Sequence, residues 1–193
     1  MASDERFARF VSLAVHDLRT PLATVSGFAH TLTRTEELAD PAQRYVGMIL
    51  AASEQMGDLL DDLGLVARIE ADRYEPALVE AETLELARAA AELVGEQAAA
   101  SGAGGAVRVD REAVERGLAA LARCALLHGA LDRVELMADG SAVAISPVTP
   151  ETGPILLGEE LKDLGAAAAG RLIEALGGSL TLEGERLHVR LPT

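Results

Sequence analysis

The sequence predicts an α+β chain: an N-terminal antiparallel helical hairpin that pairs with a second copy into a dimeric four-helix bundle, then an α/β sandwich. Three observations predict it. Apolar residues recur in steps of three and four through the first 70 or so positions. A charged stretch, Glu70 to Glu75, ends that pattern. Beyond it, β-type runs and hairpin turns alternate with helical stretches. The expected units are 1–70 and 71–193.

The first helix is expected over residues 4–35. Phe7, Val11, Ala14, Leu18, Leu22, Val25, Ala29 and Leu32 form one stripe at roughly 100° per residue. Thr33 to Ala39 breaks the pattern. Asp40-Pro41 restarts it, with Asp as N-cap and Pro in the first helical position. The second helix then runs to about Arg68, with Tyr45, Ile49, Ala52, Met56, Leu59, Leu63 and Val66 on its seam. A short loop makes the two helices antiparallel neighbours. A hairpin cannot bury so long a stripe by itself, so a homodimer is expected.

In the second part, residues 80–99 are Ala-rich and helical, and Ser101-Gly102-Ala103-Gly104-Gly105 reads as a flexible break. Val107–Val109 is a short strand. Asp110 caps a helix reaching about His128. Strands at 133–138 and 141–146 flank the turn Asp139-Gly140. The stretch from Pro147 to Gly158 is irregular and carries three prolines. A helix at 161–176 stops at Gly177-Gly178, and 179–182 pairs with 186–191 around Glu183-Gly184-Glu185. Helices packed on one small sheet follow from this order.

Composition narrows the function. Of 193 residues 49% are hydrophobic but only 3% aromatic, without Trp, so the core is built from Ala, Leu and Val. A net charge of −14 sets the chain against nucleic acid and anionic membrane surfaces, which it would be repelled by. The single Cys124 excludes an internal disulfide and fits a reducing cytoplasm. No apolar run of about 18 residues is present to span a membrane. The charged start leads straight into an amphipathic pattern, so no signal peptide is expected.

The densest chemistry lies in His16-Asp17-Leu18-Arg19-Thr20-Pro21-Leu22. His16 falls roughly 160° from the apolar stripe, and Thr20 follows one turn later on the same side. Asp17 can take a proton or hold one imidazole tautomer, and Thr20 can position a water or a phosphoryl oxygen. Pro21 inside a helix costs about 3 kcal/mol, which a purely structural helix would seldom keep. Ser12, Ala23 and Gly27 are small residues expected on the His16 face. Together with Arg19 they form the expected partner-docking surface. His128, near the end of its helix, reads as a cap or surface residue rather than a ligand, His30 and His188 carry no supporting cluster, and the spacing offers no Cys/His metal pattern.

Those seven residues match, without departure, the H-box of two-component sensor histidine kinases. Residues 4–70 resemble the dimerisation and histidine-phosphotransfer domain of that family. The resemblance implies a phospho-acceptor role for His16 and an acid/base role for Asp17. It further implies that Asp17 and Thr20 support dephosphorylation of a partner. The second part resembles in layout the ATP-binding domain of the same kinases, in reduced form. Its working residues are absent. Cys124 stands where the family's Mg²⁺-holding Asn is expected, and Leu127 where a phosphate-facing Lys is expected. Ser146 to Gly153 replaces the adenine-binding Asp-x-Gly-x-Gly. Asp163-Leu164-Gly165 replaces a phosphate-loop Gly-x-Gly, putting negative charge beside phosphates. The lid stretch, Ile155 to Lys162, is short.

Two readings of this domain stay open: a divergent kinase, or a scaffold that has lost nucleotide binding. The expected function is a cytoplasmic, dimeric histidine phosphotransferase of a phosphorelay. It accepts phosphoryl on His16 from the Asp of a response-regulator receiver domain and passes it on. It needs no ATP and no metal of its own, Mg²⁺ being held by the receiver. The alternatives are an autophosphorylating, ATP-dependent sensor histidine kinase and a non-catalytic dimerising regulator of a kinase.

Overall fold

The change of periodicity near residue 70 is also a change of unit: one ends at Arg73 and the other begins at Tyr74. The structure, a computed structural model, describes residues 2–35 and 38–193.

The first unit is a pair of helices, α1 (Ala2–Thr35) and α2 (Asp40–Glu70). They are antiparallel: Val15 meets Gly64, and Arg19, one turn further along α1, reaches back to Asp61. Small residues let the backbones approach. A Cβ on Gly64 would lie 3.5 Å from Val15 Cγ1, and Ala8, Val15, Ala29, Val46 and Ser53 are buried. The hydroxyls of Ser12 and Ser53 donate to Ala8 O (3.0 Å) and Ile49 O (2.8 Å), so neither enters the interface unpaired.

The expected stripe divides in the structure. Only Ala29 of its α1 residues is buried between the two helices, while Val11, Ala14 and Leu22 are half-buried. Phe7, Leu18, Val25 and Leu32 are exposed, as are Tyr45, Ile49, Met56 and Leu59 on α2, joined by Phe10, Phe28 and Met48. Each helix therefore carries two adjoining apolar faces, and periodicity alone merged them. The expected N-cap also moves: Ala39 holds that position without a side-chain cap, and Asp40 begins the helix.

The second unit runs β1 (Leu78–Glu82), α3 (Thr83–Val94), β2 (Ala98–Gly104), β3 (Ala106–Asp110), α4 (Arg111–Gly129), β4 (Val134–Gly140), β5 (Ala142–Ser146), α5 (Gly153–Leu156), α6 (Leu164–Ala175), β6 (Ser179–Glu183) and β7 (Arg186–Arg190). Five strands form a sheet in the order β2-β4-β5-β7-β6, and β1 pairs with β3 in a separate ribbon. One sheet was expected. The ribbon is added because Val79 and Ala81 find antiparallel partners in Val109 and Val107.

The larger correction concerns residues 98–104, expected as helix end and flexible break. They form β2, parallel to β4, with Gly102 opposite Ala138. Alanine and glycine have low β propensity, so the sequence hides this strand. Tertiary fit imposes it: Gly102 has φ +97° and lies so close to β4 that a Cβ there would stand 2.1 Å from Ala138 O. The expected helix at 161–176 starts later, at Leu164, where Asp163 supplies the cap.

Helices α3, α4 and α6 cover the sheet. Leu86, Leu118, Leu121, Leu136, Ile145, Ile173 and Leu187 lie in the core between them with essentially no exposure. Asp110 fixes the start of α4 by accepting from Ala113 N (3.4 Å), and its second oxygen accepts from Tyr74 Oη (3.0 Å).

Candidate functional site

His16 sits midway along α1, where the helix runs unbroken through Pro21. Its side chain is 81% exposed. The direction follows from helix geometry, since Val15 points into the hairpin and the next residue is rotated by about 100°. His16 Nδ1 lies 3.1 Å from Asp17 Oδ1. An ionised carboxylate can only accept, so in this contact Nδ1 carries the hydrogen. The neutral ring then presents the lone pair of Nε2 outward, which is the nucleophilic arrangement. An imidazole substituted at Nε2 becomes cationic, and the same carboxylate stabilises that charge and can take the Nδ1 proton.

The other residues singled out by sequence distribute as follows. Thr20 is exposed one turn beyond His16, and its carbonyl accepts from Thr24 Oγ1 (3.0 Å). Ala23 and Gly27 are exposed; a Cβ on Gly27 would meet nothing within 4 Å. Ser12 departs from expectation. It is half-buried, and its hydroxyl is turned onto Ala8 O, because its position rotates toward α2. Arg19 is exposed and binds the carboxylate of Asp61 on α2. Sequence reasoning missed Asp61 and Gly64, which set the spacing of α2 against the His16 turn. No local signal links residues so far apart in the chain.

In the second unit, Cys124 is fully buried on α4, and burial pushes its thiol up to about 12, with the charge of Asp163 adding to the shift. Leu127 is exposed. Asp163 Oδ1 accepts from Ala166 N (2.8 Å) and so occupies the N-terminus of α6, while Oδ2 lies 3.3 Å from His128 Nε2. Helix α4 packs directly on α6: a Cβ on Gly117 would lie 3.5 Å from Ala169 Cβ and Leu172 Cδ2. In the stretch 146–153, Thr149 and Thr152 pair through their hydroxyls (2.9 Å). His30 is exposed, and His188 Nε2 lies 3.9 Å from Glu183. No described helix is long and apolar enough to cross a membrane.

With this geometry in place, four similarities bear on it. Residues 8–72 match the His Kinase A (phospho-acceptor) domain family. The same region is 33% identical over 72 residues to the sensor protein DivL of Caulobacter vibrioides, covering 37% of this chain and 9% of DivL. It is 31% identical over 72 residues to the probable sensor histidine kinase TcrY of Mycobacterium tuberculosis, covering 37% of this chain and 15% of TcrY. The chain thus spans only a small part of the length of these relatives. In fold it is similar to full-length ShkA, solved in complex with AMPPNP, with a TM-score of 0.68 at 22% identity over 94% of this chain and 44% of ShkA.

Proposed function

We propose, from the premise that this chain belongs to the two-component histidine kinase family through its phospho-acceptor domain, that it works as a histidine phosphotransferase. A response-regulator receiver docks around the exposed His16. The acyl–phosphate P–O bond of the receiver's aspartyl phosphate breaks, and a P–N bond forms at Nε2. Asp17 holds the tautomer that makes this attack possible and balances the charge that results. A second receiver then takes the phosphoryl group. The observation that carries the reading is the outward Nε2 set by the 3.1 Å contact of Nδ1 with Asp17. Catalysis of this kind is mostly positioning, with Mg²⁺ held by the receiver.

Transfer rather than ATP-dependent autophosphorylation is favoured by the start of α6. A helix N-terminus is a ready anion site, because free N–H groups point at the ligand. Here the carboxylate of Asp163 already fills it, and its charge opposes a phosphate in the same place. Titration calorimetry of the full chain with AMPPNP and Mg²⁺ is expected to give no heat of binding. A micromolar dissociation constant would turn the reading to an ATP-dependent kinase.

The same reading includes a homodimer. Exposed Phe7, Phe10, Leu18, Val25, Phe28 and Leu32 exceed what a solvated helix face carries. Burying each such side chain is worth about 1.5–3 kcal/mol. Leu18→Asp puts a charge in that face without touching the α1–α2 contact. Sedimentation equilibrium is expected to show a dimer for the wild type and a folded monomer for this variant; a monomeric wild type would remove the bundle from the proposal.

A further inference from the structure

We propose that Cys124, His128 and Asp163 form a site for one divalent cation of the zinc class. Their ligand atoms all lie within 4.8 Å of one another, the sole such grouping among the described residues. Cys124 and His128 are one turn apart on α4 and so project from one face of it. Asp163 approaches from the start of α6, with the cap of that helix fixing its rotamer: Oδ1 holds Ala166 N and Oδ2 faces the histidine.

The distances suit the ion. Two N/O atoms at about 2.0–2.1 Å from a common tetrahedral centre stand about 3.3–3.4 Å apart. His128 Nε2 and Asp163 Oδ2 are 3.3 Å apart. A sulfur ligand at about 2.3 Å stands about 3.6 Å from such a nitrogen, and Cys124 Sγ lies within 4.8 Å of both other ligand atoms. One sulfur, one nitrogen and one oxygen suit zinc or cobalt, while Mg²⁺ and Ca²⁺ want oxygen donors.

The surroundings divide the site into a dry side and an open side. The thiol is fully buried. The side chains of His128 and Asp163 are 26% and 20% exposed, which gives the ion an entry path and leaves a fourth position for solvent. On binding, the thiol proton leaves to solvent and a metal–sulfur bond forms, with no change of oxidation state. The ion would tie α4 to α6, two helices already in close packing at Gly117.

The test uses the untagged full chain freed of metal by a chelator. Titration with CoCl₂ is expected to give a sulfur-to-cobalt charge-transfer band and tetrahedral visible bands at one equivalent. ZnCl₂ should displace the cobalt and raise the melting temperature. Cys124→Ser should abolish the charge-transfer band, and His128→Gln and Asp163→Asn should each weaken zinc binding at least about tenfold. Asn at 163 can still cap α6 and Gln at 128 is half-exposed, so these two variants report on binding even if the core rejects Ser at 124. Absence of the cobalt spectrum in the wild type overturns the proposal. So does cation binding that all three variants retain, which would mean adventitious binding to the acidic surface.

Discussion

His16→Ala is expected to reduce labelling of this chain by a phosphorylated receiver to background. The experiment charges a receiver with a labelled small-molecule phosphodonor, adds the chain and follows label on each protein. In the wild type the label should appear as a phosphoramidate, stable to base and labile to acid. The whole effect is expected from one side chain because His16 joins an 81% exposed ring to a carboxylate 3.1 Å away; His128 also has a carboxylate at 3.3 Å but its side chain is only 26% exposed, and the carboxylate nearest His188 Nε2 is 3.9 Å away. Asp17→Asn separates positioning from nucleophilicity. An amide can donate to Nδ1 and favour the wrong tautomer, so transfer should slow by about 10²-fold while His16 remains. Label persisting on His16→Ala would remove His16 as the acceptor. Equal rates for Asp17→Asn would remove the tautomer argument but not the acceptor.

The second large effect falls on stability. Gly102→Ala is expected to destabilise the second unit by about 4 kcal/mol, combining positive-φ strain with overpacking. Its φ is +97°, and the added methyl would lie 2.1 Å from Ala138 O and 3.0 Å from Ala138 C and N. None of these three backbone atoms can yield without moving β4, which also pairs with β5 in the middle of the sheet. Gly140→Ala is the control. Its φ is +55° with nothing within 4 Å of the added atom, so about 1 kcal/mol is expected. Urea unfolding followed by circular dichroism reads both changes as a shift in midpoint at constant slope. A shift for Gly102→Ala no larger than the control would mean that β2 is not seated against β4 as described.

The helices of the first unit were legible because 3.6-residue periodicity persists over many turns. The hairpins around Gly140 and Gly184 were legible because their turn glycines adopt positive φ, which few other residues do. Strand β2 was not. Its Ala-Gly composition carries neither β propensity nor alternation, and only the closeness of β4 and α3 explains it: a Cβ on Gly104 would lie 2.7 Å from Leu84 N. Ser12 was misdirected for a related reason. Its angular position is close to that of His16, but α2 covers one flank of that arc and not the other.

By itself the sequence determined the two-part architecture and an exposed His16 beside Asp17, because helical rotation and adjacency are local and need no partner element. Tertiary structure decided the rest: which apolar face closes the hairpin and which stays open, that a glycine-rich segment becomes a parallel strand, and that Cys124, His128 and Asp163 converge. Those outcomes depend on how far apart two backbones settle, a distance set by side chains remote in sequence and written in no single stretch of it.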